Sequence, residues 1–300
     1  QAWWLQFACI GLLAWGVSRV SARRAALIGW AFGTAWLAAS TWWLYISMHR
    51  YGGLPAPLAV LAVFALAGAL GLFLAAAMAL AARLRRGRTL PDALLFGACW
   101  LAAELTRGLL FTGFPWAATG YGQLDAPLKA AAPWVGVYGI GFVVAALAAL
   151  LAFSIGVKQQ LIAAVAAGAI VFAAPLGLQR DFTTSAGRLG VTLVQTNVPQ
   201  NEKFVPQFLP ETLEWLEKTV ASAPGPLVVA PETAIPLLPE QLGDDGWQRF
   251  AAPFRTGNRG LLIGLPLGDY DSGYTNSAAG LSNDAPQPFY RYDKQHLVPF

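Results

Sequence analysis

LPAPLAVLAVFALAGALGLFLAAAMALAA, Leu54 to Ala82, contains no charged side chain. A helix needs about 20 such residues to cross roughly 30 Å of hydrocarbon, because its backbone donors and acceptors must be satisfied internally. Ala25 to Met48, Ala130 to Val157 and Leu161 to Leu178 are equally free of charge. Trp3 to Val17 is a shorter run of the same kind, and Ala93 to Leu110 is interrupted by Glu104 and Arg107. At i, i+3 those two share a helix face and can neutralise one another, either as a structural ion pair or as part of a substrate site. About six helices are thus expected over residues 1–180, as a multi-pass α-helical membrane bundle.

Charge divides the chain at the same place. Residues 1–180 hold three acidic against twelve basic side chains, a net of +9, while residues 181–300 hold thirteen against eight, a net of −5. The overall composition, 56% hydrophobic and 12% charged with mean hydropathy +0.49, is too apolar for an ordinary soluble domain. The pI of about 9.2 reflects basic loops beside apolar helices, and no basic face with interleaved aromatics points to nucleic acid. Arg19, Arg23, Arg24, Arg83, Arg85, Arg86, Arg88 and Lys158 fall in alternate loops; Arg50, Arg107 and Lys129 fall in the others. Lys and Arg gather at cytoplasmic ends, so the tail from residue 181 is expected on the far side, which in a bacterial inner membrane is the periplasm. The outer loop Phe111 to Lys129 carries Phe114, Trp116 and Tyr121 between glycines and prolines. Such a loop serves as an interfacial aromatic anchor or as the floor of a lipid-accessible cavity.

Past Arg180 the pattern becomes short apolar runs between turn signals. Strands are expected at Gly190 to Gln195, Pro226 to Ala230, Gly260 to Pro266, Tyr274 to Leu281 and Pro288 to His296. Helices are expected at Pro206 to Ser222, where Leu209, Leu213, Leu216 and Val220 share a face, and at Pro239 to Arg255. Strands alternating with helices and then following one another predict an α/β or α+β layered domain. Glu232 directly follows the second strand, where open sheets commonly present functional groups, although a carboxylate there is more often simply solvated. Lys294 ends the last strand, with Tyr290, Tyr292 and His296 at the same parity. Together a carboxylate and an ammonium offer a general base and a fixed positive charge for an oxyanion, without a nucleophile. Cys9 and Cys99 lie in apolar stretches and read as inert. His296 has no partner at ligand spacing, so no metal or cofactor is implied.

Five pieces carry a family resemblance: Phe111-Thr112-Gly113-Phe114-Pro115-Trp116, Asp125-Ala126-Pro127-Leu128-Lys129, Val194-Gln195-Thr196-Asn197-Val198-Pro199-Gln200, Pro231-Glu232-Thr233-Ala234-Ile235-Pro236 and Lys294-Gln295-His296-Leu297-Val298-Pro299-Phe300. In this order they resemble the apolipoprotein N-acyltransferase family, bacterial inner-membrane enzymes of lipoprotein maturation. The resemblance implies that residues 181–300 are part of a periplasmic nitrilase-like domain, an α-β-β-α sandwich with a Glu, Lys, Cys triad. Glu232 matches the general base and Lys294 the oxyanion stabiliser. Asn197, Phe204, Phe114, Trp116 and His296 fall in or beside the matched motifs as substrate-binding candidates.

The implied reaction moves an acyl chain from a membrane phospholipid to the Cys as a thioester, then to the amine of a diacylglyceryl-cysteine at a lipoprotein N-terminus. The family's cysteine would lie beyond Phe300. The 300 residues are therefore expected to be a piece lacking both ends, without turnover of its own. Phe204 stands where relatives commonly have Trp, which keeps the aromatic surface and loses the indole donor. Two alternatives stay open: a membrane-anchored nitrilase-type amidase, in which water resolves the thioester, and a non-catalytic lipid-binding or transport protein.

Overall fold

The computed structural model describes residues 2–177, 182–243, 245–286 and 289–295. The chain divides into two compact units, Gln1–Thr183 and Thr184–Phe300.

The first unit is helical: α1 (Trp4–Val17), α2 (Ala22–Thr41), a single turn α3 (Trp43–Ile46), α4 (Ala56–Leu84), α5 (Thr89–Leu109), α6 (Ala132–Phe153) and α7 (Lys158–Gly177). At 1.5 Å per residue, the 29 residues of α4 extend about 43 Å. Leu58, Leu61, Phe64 and Leu72 of α4 all expose more than half of their surface. Apolar side chains turned outward on so long a helix reverse the pattern of a water-soluble helix, and suit hydrocarbon. By length and composition, α4 and the stretch Pro127–Phe153 are able to cross a bilayer.

Small residues set the helix packing. A Cβ on Gly29 of α2 would come within 2.7 Å of Met78 Cγ and 2.9 Å of the Leu74 carbonyl, and one on Gly71 of α4 within 2.8 Å of Thr34 Oγ1. The α2 and α4 backbones therefore meet along a glycine seam, the usual means of close helix contact where lipid replaces water. Around α1, α5 and α6, Ile10, Leu13, Phe96, Trp100 and Val144 form a buried core.

The helical backbone expected over Ala25 to Met48 runs through Trp42, whose φ of −58° and ψ of −25° stay in the helical region, and changes pitch near its end. α2 ends at Thr41, and after α3 the chain widens into a π turn at Ser47–Tyr51, ahead of Gly52 and of Gly53 at φ 69°. Absence of charge reports what surrounds a segment and not where its helix stops. α6 likewise bends at Gly136, whose φ of 64° lies outside the helical region.

The second unit is a five-stranded sheet in the order β1 (Val191–Leu193), β2 (Leu227–Val229), β3 (Gly260–Asp269), β4 (Gly273–Leu281), β5 (Tyr290–Asp293). β1, β2 and β3 are parallel; β4 is antiparallel to β3 and to β5. Alternation along β3 and β4 puts Leu261, Ile263, Leu265, Ala279 and Leu281 on one face, buried with Leu216 and Val220 of α8 (Leu209–Ser222) and Phe250 of α9 (Gly246–Ala251). Gly264, Asn276 and Ala278 fall on the opposite face, in register across the β3–β4 pair. The single helix expected over Pro239 to Arg255 is instead a 3₁₀ turn at Pro239–Leu242, the short α9 and a second 3₁₀ turn at Ala252–Phe254. Gly243, at φ 81°, ends the first turn in a conformation that a continuous helix cannot hold.

Candidate active site

Strand direction creates the site. β1, β2, β3 and β5 run the same way, so the segments following β1, β2 and β5 leave the sheet at one edge, where open sheets collect ligands. Glu232 comes just after β2, and Lys294 just after β5, two strands beyond β3. For Glu232 to reach across, its loop must lie flat on β3. Gly264 permits this: a Cβ there would stand 2.6 Å from the Pro231 carbonyl, 2.7 Å from Glu232 Cα and 2.7 Å from the Thr233 nitrogen. The loop is pinned on both sides, by Ala230 N donating to Leu262 O (2.8 Å) and Ile235 N donating to Gly264 O (3.2 Å). Thr233, a β-branched residue, takes a φ of 50° inside this crossing, in a region such residues rarely occupy.

The carboxylate and the ammonium meet. Lys294 Nζ donates to Glu232 Oε1 at 3.1 Å, and the Asn276 side-chain amide donates to the same oxygen. Lys203 Nζ donates to the Glu232 carbonyl at 3.3 Å. The hydrogen bonds from Lys294 first, then Asn276, hold the Glu232 carboxyl below the usual carboxylate range, so it is ionised at neutral pH. Both side chains stay accessible, Glu232 at 62% and Lys294 at 38%, leaving them open to a reacting group.

Lys294 is itself held in register. Its backbone N donates to Asn276 O at 2.9 Å. Its neighbour Asp293 turns to the other face and accepts hydrogen bonds from Arg291, Ser277 and Thr275. These, with Arg291 foremost, lower the Asp293 pKa to about 2.

The remaining candidates are distributed. Asn197 follows β1 at φ 51° and accepts from Gln195 Nε2 at 2.7 Å; Phe204 is 57% exposed, beside Lys203. Among the described residues neither hydrogen-bonds to Glu232 or Lys294 through its side chain. His296 lies outside the described residues. Phe114 and Trp116 belong to the helical unit, where Trp116 packs against Trp43 with ring centroids 4.9 Å apart and Phe114 at 5.5 Å. Asn276, Lys203 and Gly264 were not expected from sequence. Asn276 carries the one available signal, an amide side chain inside a strand, where Asn is unfavourable.

The helical unit holds a second carboxylate–cation pair. Glu104 and Arg107 of α5 are 3% and 4% exposed, with 3.8 Å between Arg107 Nη2 and Glu104 Oε1. Glu104 Oε1 accepts from Thr119 N and Thr119 Oγ1, each at 2.8 Å, and Arg107 Nη1 donates to Trp116 O at 3.0 Å. The Arg107 guanidinium lies 5.5 Å from the centre of the Trp36 ring. The pair ties the aromatic loop Phe111 to Lys129 to α5.

Residues 1–150 match the family described as Apolipoprotein N-acyltransferase N-terminal domain. Proteins named apolipoprotein N-acyltransferase from Verminephrobacter eiseniae, Ralstonia nicotianae and Pseudomonas putida are 47%, 40% and 37% identical to this chain, each over 99% of it. The alignments cover 59%, 58% and 60% of those proteins, so the chain spans about three fifths of their length. With the N-terminal match taking in half of the chain and these likenesses running along nearly all of it, the chain belongs to the apolipoprotein N-acyltransferase family.

Proposed function

We propose that this chain provides the membrane bundle and two catalytic groups of an enzyme that transfers an acyl chain from a phospholipid to the N-terminal amine of diacylglyceryl-cysteine in apolipoproteins. The observation that carries this reading is the 3.1 Å approach of Lys294 Nζ to Glu232 Oε1 at the sheet edge. The sheet is part of a nitrilase-like α-β-β-α sandwich on the periplasmic side of the inner membrane, and Glu232 and Lys294 are two members of a Glu, Lys, Cys triad.

In the first half-reaction, Glu232 takes the thiol proton and the thiolate attacks the ester carbonyl. Lys294 stabilises the oxyanion, and the lysophospholipid alkoxide leaves with the proton from Glu232. In the second half, the lipoprotein amine attacks the thioester. Glu232 accepts its proton and returns it to the departing thiolate. The ionised state of Glu232 suits a proton acceptor, and an acyl chain covering it would raise its proton affinity by desolvation. Asn197, Phe204, Phe114, Trp116 and His296 are proposed to contact the substrates.

The test uses the full-length protein and a phospholipid with a labelled acyl chain, reading the acyl-enzyme by mass spectrometry. Glu232→Gln and Lys294→Ala should each lower the adduct by about 10²- to 10⁴-fold, with membrane insertion intact. Undiminished acylation would remove both residues from the mechanism. For orientation, a cysteine engineered into the 84–88 loop should be shielded from an impermeant thiol reagent in intact spheroplasts, and one near Gly268 should react. Reversed labelling would overturn the topology.

A further inference from the structure

At the end of α5 remote from the aromatic loop Phe111 to Lys129, the helical unit has a half-open cavity of about 230 Å³. That is several times the ~30 Å³ occupied by a water molecule in the liquid. Its floor includes the buried Phe96 and Ala152, and its walls include Arg19, Arg85, Asp92 and the half-exposed Trp15. We propose that this cavity binds the phosphate headgroup of an anionic phospholipid in the leaflet at the Arg-rich end of the helices.

Arg85 is pre-set for an anion. Its Nη1 donates to Val17 O at 2.7 Å and its Nη2 to Val20 O at 2.9 Å, so the guanidinium is fixed against the end of α1. Two of its five N–H groups are thereby used and three remain. Arg19, exposed at the rim, has no ion-pair partner among the described residues. The one acid on the wall is already engaged: Asp92 Oδ1 accepts from Arg86 N at 2.9 Å and Oδ2 from Arg88 N at 3.0 Å. The site therefore offers unspent donors and net positive charge.

A lipid fits better than a free ion. The floor is aromatic and aliphatic, and Trp15 (52% exposed) and Ile155 (62% exposed) turn apolar surface outward beside the charges. Indole rings favour the headgroup level, and basic pockets between helices recognise acidic headgroups there. Arg83, Arg86 and Arg88 lie within three residues of Arg85 in the chain, and this concentration of positive charge disfavours the ammonium of a zwitterionic lipid.

The test is native mass spectrometry of the full-length protein in detergent, with diether phosphatidylglycerol against diether phosphatidylcholine, neither of which has an ester acyl chain to transfer. Phosphatidylglycerol should be retained at least about tenfold more strongly. Arg19→Gln should reduce that retention about tenfold, while Arg23→Gln, a neighbouring charge outside the cavity, should change it less than twofold. Millimolar inorganic phosphate should not displace the lipid. Equal loss in the two variants would reveal only a diffuse basic surface and overturn the site. Equal retention of phosphatidylcholine, or displacement by phosphate, would overturn the proposed ligand.

Discussion

Two carboxylate–cation pairs of this protein, one in each unit, live in opposite surroundings. Glu104 and Arg107 are almost completely buried in the helical unit; Glu232 and Lys294 are open at the sheet edge. Burial strips both charges of water, a cost that only their mutual attraction and further hydrogen bonds offset, so such a pair cannot separate without large loss. Thr119 and the Trp116 carbonyl supply those bonds and bind the loop in return. An open pair contributes little to the fold because water and salt screen it, yet it can exchange partners as a reaction proceeds. A carboxylate and a cation therefore fasten in one unit and are free to react in the other.

The contrast breaks most readily on stability. Arg107→Ala leaves a buried carboxylate unpaired and should cost about 3–5 kcal/mol, against no more than about 1 kcal/mol for Lys294→Ala. Thermal unfolding of full-length variants in detergent reads this; equal losses would erase the distinction.

Next in size is Gly264→Ala. Crowding of the Pro231–Thr233 backbone should cost about 1–3 kcal/mol and also lower acyl-enzyme formation by displacing Glu232. Loss of stability with full acyl transfer would show that the loop crossing does not position the carboxylate.

The smallest effect is on pH. Lys294 and Asn276 hold the Glu232 carboxyl low, so their bonds stabilise the fold above the ordinary carboxylate range and lose that contribution as pH falls through the lowered pKa. Asn276→Ala should move the acid limb of kcat/KM upward, by less than about one pH unit. A limb that stays in place or moves downward would separate Asn276 from the titration of Glu232.

Local signals in the sequence mark several of these features. Glu232 follows a short apolar run, Lys294 follows an alternating, tyrosine-bearing strand, and Glu104 and Arg107 share a helix face by their spacing alone. What spacing cannot carry is the pairing between strands. Asn276 meets Glu232 only because β3 and β4 are in register, and Gly264 matters only because a loop more than thirty residues upstream crosses over it. Thr119, which holds Glu104, is hidden for the same reason. The widening at Ser47–Tyr51 had no marker, since serine, methionine, histidine, arginine and tyrosine are all compatible with an ordinary α-helix.

The glycine seam between α2 and α4 ties the order of synthesis to the order of assembly. α2 leaves the ribosome first, bearing Arg23 and Arg24 in its opening turn, while the surface made for Gly29 and Gly33 is still untranslated. Its final lodging must wait until Gly71 and Met78 have been made, so the seam can close only once both helices exist.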